Sequence, residues 1–404
     1  MTNVPEIRFK GYIGAWVQRK LGEVAEFSKG SGYTKGDLVS DGTPIILYGR
    51  LYTKYETVIE DVDTFVVMRD KSVVSSGGEV IVPSSGETAE DISRASVVGK
   101  AGVILGGDLN IVNPNLTIDP VFLAVTISNG NQQKELSKRA QGKSVVHISN
   151  SDLKDIILQL PTLPEQTAIG KFIRTLDDSH TLHKRKLDEL REMKRGYLQQ
   201  MFPEAGERVP RVRFKGFTDE WQVRRLGDVG EIITGSTPPT SDIENYSDDG
   251  MMWVTPTDIN GITISTTAKR LSNKGQQIAR IVPRGSILVT CIASIGKNTM
   301  AMSSAGFNQQ INAVVPNESN DPYFLLTQSE MWSTYMKSNT ASTTMQIVNK
   351  SEFSKISVLL PTSKLEQIAI GNFFHKLDER ITAQTQYMEQ LKQLKAAYLQ
   401  KMFV

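Results

Sequence analysis

The sequence predicts a mixed α/β chain: two similar globular domains separated by two long helices that pair as an antiparallel coiled coil, making one duplicated unit with pseudo-twofold symmetry. Three observations carry that expectation. The stretch VPEIRFKG at 4–11 returns as VPRVRFKG at 209–216. Between the repeats, short apolar runs such as GEVIVP, AGVIL, GSILVTCIASIG and INAVVP are split by Gly, Pro and Asn, the pattern of many short strands. Each half then closes in a long alternation of three- and four-residue apolar steps, the spacing of a coiled-coil seam.

The repeat organises everything else, because a missed repeat mis-assigns a fold. At an offset of 205, Trp16 matches Trp221, Leu21-Gly22 matches Leu226-Gly227, and Gly30-Ser31 matches Gly235-Ser236. DPVFL at Asp119 echoes DPYFL at Asp321, and HISNSDLKDIILQLP ending at Pro161 echoes IVNKSEFSKISVLLP ending at Pro361. The strongest match is LPTLPEQTAIGKFIRTLDD at 160–178 against LPTSKLEQIAIGNFFHKLDE at 360–379, with YLQQMF and YLQKMF closing the two copies. Boundaries follow from these matches: globular domains at 1–160 and 206–360, helical segments at 161–205 and 361–404. A chain of 404 residues exceeds what one hydrophobic core serves, which also argues for two domains.

The first helical seam runs Ile169, Ile173, Leu176, His180, His183, Leu187, Leu190, Lys194, Tyr197, Met201. At an offset of 201 the second runs Ile370, Phe374, Leu377, Ile381, Gln384, Met388, Leu391, Lys395, Tyr398, Met402. Helices of such length reach roughly 55 Å at 1.5 Å per residue, which suits a spacer better than a core element. A single apolar seam needs a partner, and the equivalent helix of the same chain is the nearest one.

Composition sets limits. Lys and Arg number 46 against 44 Asp and Glu, for a net charge of +2, so any polyanion-binding face must come from local placement. Nothing approaches the run of roughly 18 apolar residues that would span a membrane. The opening MTNVPEIRFKGYIGAW has no basic-then-apolar leader pattern, and the single Cys291 rules out an internal disulfide, so a reducing cytoplasm is the expected compartment.

The helical motif LPxxxEQxAIGxF, the RFKG…W…LG(D/E)V opening of each half, and MMWVTPTDI, ASIGK and FNQQINAVVP in the second half together resemble the specificity (S) subunit of type I restriction-modification enzymes. The resemblance covers essentially the whole chain and is tighter in the second half; the first shows PIILYGRLY in place of MMWVTPTDI and lacks ASIGK. It implies two target-recognition domains, each reading one half of a split target in double-stranded DNA. It also implies helices that set the gap and dock two methyltransferase subunits, with restriction/translocase subunits as further partners. S-adenosylmethionine, ATP and Mg would then belong to those partner chains, and this chain would carry no cofactor and no catalysis of its own.

The residues agree with the absence of catalysis. Neither an Asn-Pro-Pro-Tyr motif nor a Gly-rich methyl-donor turn occurs, and Gly142-Lys143-Ser144 lacks the earlier glycine of a phosphate loop, where Ser137 stands. His180 and His183 are spaced as helical metal ligands could be, yet they fall on the seam, where a polar step fixes register; no metal site is expected. Cys291 lies in an apolar run and reads as a small buried hydrophobe.

Base readout needs donors and acceptors on loops, with Lys and Arg for phosphates. In the second half Thr234, Ser236, Thr237, then Thr255, Thr257, Asp258, then Lys297, then Asn308, Gln309, Gln310, then Thr343, Thr344, Gln346 have that character. In the first half the corresponding candidates are Lys29, Ser31 and Tyr33, then Tyr48, Arg50 and Lys54, then Gln141, Lys143 and Ser144. The plain alternative at each position is a turn former, or a core residue for the tyrosines. Trp16 and Trp221 read as packing residues that seat each domain. An adaptor that binds proteins through two domains on a coiled-coil rod is the rival reading of the whole chain.

Overall fold

The structure, a computed structural model, describes residues 4–142, 145–340 and 347–403. The chain divides into two compact units, Met1–Arg185 with Gln386–Val404, and Lys186–Thr385. Both units are larger than the globular segments 1–160 and 206–360, because the start of each long helix is fused to the domain it follows. No helix among the described residues is long and apolar enough to cross a membrane.

In the first unit a five-stranded sheet runs in the order Ala25–Lys29, Leu109–Pro114, Val80–Pro83, Ser96–Val98, Val58–Ile59. Its inner runs VIVP at 80–83 and SVV at 96–98 are buried throughout because both faces are covered there. Val80, Val82 and Val112 face a core shared with Trp16 and Phe122, whereas Ile81, Leu109 and Ile111 face Ile46, Leu51 and Leu105. A second sheet has the order Ile104–Leu105, Thr43–Ile46, Phe65–Val66, Leu38–Val39, the first two strands parallel.

The second unit repeats the plan. Its five-stranded order is Gly230–Thr234, Ile311–Pro316, Ile287–Thr290, Asn298–Ala301, Thr263–Ile264. Ile287, Val289 and Val314 face one core; Leu288, Ile311 and Ala313 face the other. The four-stranded sheet keeps the parallel pair, Tyr246–Val254 with Ala305–Phe307, but its outer strand is Ile281–Val282 beside Ala305–Phe307, not a strand beyond the antiparallel neighbour as in the first unit.

Each long helix, Leu163–Met201 and Lys364–Met402, is locked to its domain by the motif that the repeat flagged. Glu165 accepts from Arg8 Nε and Nη2 at 2.5 and 2.7 Å, and Glu366 accepts from the same atoms of Arg213 at 2.7 and 2.8 Å. The arginine of each RFKG therefore closes on the glutamate of each EQ as a bidentate pair. The neighbouring amides bridge backbone: Gln166 accepts from Asp119 N–H and donates to Pro161 O, and Gln367 accepts from Asp321 N–H and donates to Pro361 O. Asp119 and Asp321 cap the helices that begin at Pro120 and Pro322. A Cβ at Gly170 or Gly371 would press on those capping carboxylates, which explains the glycine of AIG.

Within each unit the two long helices run antiparallel. In the first, Phe172 meets Tyr398 edge-on at 4.8 Å, Asp177 pairs with Lys395, and the His183 ring lies 4.4 Å from that of Tyr387. In the second, Tyr197 meets Phe373 at 4.9 Å and Lys194 pairs with Asp378 at 3.0 Å. Lys194 also reaches Glu330 at 2.8 Å, and Tyr323 donates to Asp378 at 3.1 Å. Burial pushes the Asp378 carboxyl up despite the lysine, while the two carboxylates hold the Lys194 ammonium above its ordinary value against burial.

Of the seam positions, Leu187, Leu190, Leu377, Gln384 and Leu391 are buried, and Leu176, His180, Ile381 and Met388 are half-buried. Ile169, Ile173, Ile370 and Phe374 go instead into the domain cores. The helix ends are anchored by aromatics. Phe202 stacks on Phe324 at 5.5 Å and meets Trp221 edge-on at 5.7 Å; Phe403 stacks on Phe122 at 5.7 Å and meets Trp16 at 6.4 Å.

Candidate nucleic-acid interface

In the second domain the polar segments converge through main-chain bonds. Thr234 ends its strand, and the chain then passes so close to the 307–308 backbone that a Cβ at Gly235 would overlap the carbonyl oxygens of Asn308 and Phe307. Ser236 N–H donates to Phe307 O at 2.9 Å, Asn308 N–H to Val254 O at 2.9 Å, and Cys291 N–H to Gln310 O at 2.8 Å. Lys297 Nζ reaches Pro256 O at 3.3 Å. Thr234, Ser236, Thr237, Thr255, Thr257, Asp258, Lys297, Asn308, Gln309 and Gln310 thus form one tip. Thr343, Thr344 and Gln346 lie outside the described residues, as do Lys143 and Ser144.

Several of these side chains hold the tip together. Asp258 accepts from Thr255 N–H and hydroxyl at 2.9 and 2.5 Å and from Ala268 N–H at 3.1 Å. The Thr234 hydroxyl donates to Asn312 Oδ1 at 2.6 Å. Asn308 accepts from Gln310 N–H at 2.8 Å and donates to Thr237 at 3.2 Å, and Thr237 donates to Gln309 Oε1. Thr257, Lys297 and Gln309 remain exposed, and the Gln310 amide has no hydrogen-bond partner among the described residues. Arg280, which carried no sequence signal, joins them: its N–H donates to Ser236 Oγ at 2.8 Å and its guanidinium to Thr234 O at 2.7 Å. Cys291 beneath is buried, which pushes its thiol up to about 11, so thiolate is scarce near neutral pH.

The first domain has the same main-chain frame. Ser31 N–H donates to Leu105 O at 2.8 Å, Gly106 N–H to Ile46 O at 2.9 Å, and Ser84 N–H to Asp108 O at 2.9 Å. Gly30 is again too close to a carbonyl, that of Gly106, to tolerate a Cβ. These bonds register Leu47-Tyr48-Gly49-Arg50 on Thr255-Pro256-Thr257-Asp258, and Gly106-Gly107-Asp108 on Asn308-Gln309-Gln310.

The first-domain candidates are less uniform. Lys29 is at the tip; partial desolvation pulls its ammonium down, opposed by the Asp108 carboxylate. Ser31 accepts from Val73 N–H at 3.2 Å, and Tyr48 meets Tyr52 edge-on at 6.1 Å. Tyr33, however, is 6% exposed in the core, with its hydroxyl on Ser72 and Arg69 N–H. Arg50 is equally committed, to Glu56 at 2.7 Å and Asp63 at 2.6 Å. Lys54 shares Asp63 at 2.8 Å. Lys54 and then Arg50 lower the Asp63 carboxyl to about 2. Aromatic and basic residues that look like a nucleic-acid surface in sequence here partner one another or acids. Gln141 is exposed and, among the described residues, pairs through its backbone with His147.

A family profile described as the type I restriction modification DNA specificity domain matches residues 14–192 and again 218–393. The chain belongs to this family. Among its relatives, the type I restriction enzyme HindI specificity subunit of Haemophilus influenzae is 34% identical over 151 residues, 36% of this chain and 33% of that protein. The MjaIX specificity subunit of Methanocaldococcus jannaschii is 26% identical over 181 residues, 43% of this chain and 42% of that protein. The chain thus matches less than half the length of each. The crystal structure of a type I restriction-modification S subunit from M. genitalium matches with a TM-score of 0.71 at 16% identity, covering 99% of both chains, a likeness of fold. Both copies of the specificity domain in this family member carry the tip described above, with one backbone frame and two sets of side chains.

Proposed function

We propose that this chain is the sequence-reading subunit of a type I restriction-modification complex, with no catalysis of its own. The observation that carries the reading is the pair of tips: matching main-chain frames that present different polar side chains, as two different half-sites require. Each domain reads one half of a bipartite double-stranded DNA target, and the long helices set the gap and dock two methyltransferase subunits. Those partners supply S-adenosylmethionine chemistry, and restriction/translocase subunits supply ATP- and Mg-dependent cleavage; the complex works in the cytoplasm. Sequencing the methylome of a host carrying this chain and its partner subunits is the test. A bipartite methylated motif is expected, and lengthening both helices by one heptad should widen its gap. Methylation without a bipartite motif would overturn the reading, and equal binding of all duplexes or of none would favour the protein-binding adaptor.

A further inference from the structure

We propose that one structural position selects a base in each domain and does so with opposite chemistry: Gln310, with Gln309, selects an adenine in the half-site of the second domain, and Asp108 selects a cytosine in that of the first. This deepens, and rests on, the reading of the chain as a DNA-specificity subunit.

The two positions are the same place in the fold. Cys291 N–H donates to Gln310 O as Ser84 N–H donates to Asp108 O, and Ile311 N–H donates to Asn308 O as Leu109 N–H donates to Gly106 O. Within that shared turn the chemistry diverges. Asn308 is consumed in bracing it, through Gln310 N–H and Thr237. Gln309 is exposed and has its oxygen held by the Thr237 hydroxyl, while its N–H₂ and the Gln310 amide are unpartnered among the described residues. An amide carries a donor and an acceptor side by side, the pattern that pairs with adenine N7 and the 6-amino group.

In the first domain Gly106 and Gly107 have no side chains to offer, so the turn presents only the exposed Asp108 carboxylate, which accepts no hydrogen bond among the described residues. A carboxylate has acceptors alone and pairs with the cytosine 4-amino group. Opposite a guanine or thymine acceptor, and among phosphates, it repels, so the wrong base is rejected as well as the right one held. Lys29 beside it supplies the local counter-charge.

Isosteric exchanges test this in the full chain assembled with its methyltransferase partners, using selection from a random duplex library followed by sequencing. Gln310→Glu should change the preference at one base of one half-site by at least about tenfold, from adenine towards cytosine, and Asp108→Asn should change one base of the other half-site by a similar factor. In each case the opposite half-site stays as in the wild type. Both half-sites unchanged, both shifted together, or a uniform loss of binding to every sequence would overturn the proposal. Should one variant lose the wild-type melting temperature, the other decides. A wild-type complex that selects no bipartite motif would instead sink the DNA-specificity reading itself.

Discussion

The buried pair between RFKG and EQ gives a stability prediction that can be worked from its contacts. Glu366 is 1% exposed at its side chain and receives two bonds from Arg213 at 2.7 and 2.8 Å and one from Trp221 Nε1 at 3.3 Å. Arg213 is 11% exposed and retains one other bond, to Asp219 O at 2.7 Å. Glu366→Leu leaves that guanidinium desolvated against an apolar group, and removing one member of a buried pair costs about 3–5 kcal/mol. The Asp219 carbonyl puts the expected loss at the lower end, about 3 kcal/mol. Glu366→Gln keeps an acceptor but trades charge-assisted bonds for neutral ones, a difference of about 1–2 kcal/mol. Arg213→Met combined with Glu366→Leu should recover much of the loss, because an apolar pair in place of a buried ion pair is often neutral. Urea unfolding followed by tryptophan fluorescence reads the second unit, which holds Trp221, Trp253 and Trp332 of the four tryptophans. A loss below about 1 kcal/mol for Glu366→Leu, or strict additivity of the two changes, would refute the claim that this pair locks helix to domain.

Gly235→Ala should cost about 1–3 kcal/mol by pushing the edge strand off the Asn308 carbonyl, and Gly30→Ala should do the same in the first unit, both read by urea unfolding. Phe403→Ala removes the ring between Trp16 and Phe122; a loss of about 3 kcal/mol is expected in the calorimetric transition of the first unit, with that of the second unmoved. Asp63 titrates lower folded than its ordinary 3.8, so its contribution is present above that value and fades as pH falls through about 2. With its side chain 64% exposed the effect is small, and it appears as a shallow acid-side fall in the melting temperature of the first unit that Asp63→Asn abolishes.

The large-scale plan was legible in the sequence because it rests on periodicity. The alternating three- and four-residue steps located both long helices, and the run GEVIVP marked a strand, which the structure buries throughout. Much of the second-domain tip was legible too, since short polar residues between apolar runs mark loops at strand ends. Arg280 and Asp108 were missed for a physical reason: Arg280 is placed by bonds to Ser236 Oγ and Thr234 O, and Asp108 by a main-chain bond from Ser84, all far away in sequence, and no local pattern reports those. Tyr33 and Arg50 were misleading for the complementary reason. Basic and aromatic residues in one stretch suggest an exposed surface, but Asp63 and Glu56 neutralise Arg50, and the pocket around Ser72 buries Tyr33.

The contrast between repeated and unrepeated residues follows from which atoms each feature depends on. Docking of the helices needs particular side chains: Arg8 with Glu165, Arg213 with Glu366, Gln166 and Gln367 on backbone, and glycine where the capping aspartates approach. Substituting any of them breaks a buried bond or fills occupied space, so both copies keep the same letters. The frame common to both tips is made by N–H and C=O groups that every residue type but proline supplies in full, with Gly30 and Gly235 as the side-chain-free exceptions, and side-chain bonds such as those of Asp258 and Asn308 add to it in the second tip. Exposed side chains projecting from such a frame change stability by only about 0.5 kcal/mol either way. Gly106-Gly107-Asp108 can therefore stand where Asn308-Gln309-Gln310 stands on the same main-chain bonds, without the Asn308 side-chain brace. A fold built this way lets the surface chemistry of each domain diverge while its attachment to the helices stays unchanged.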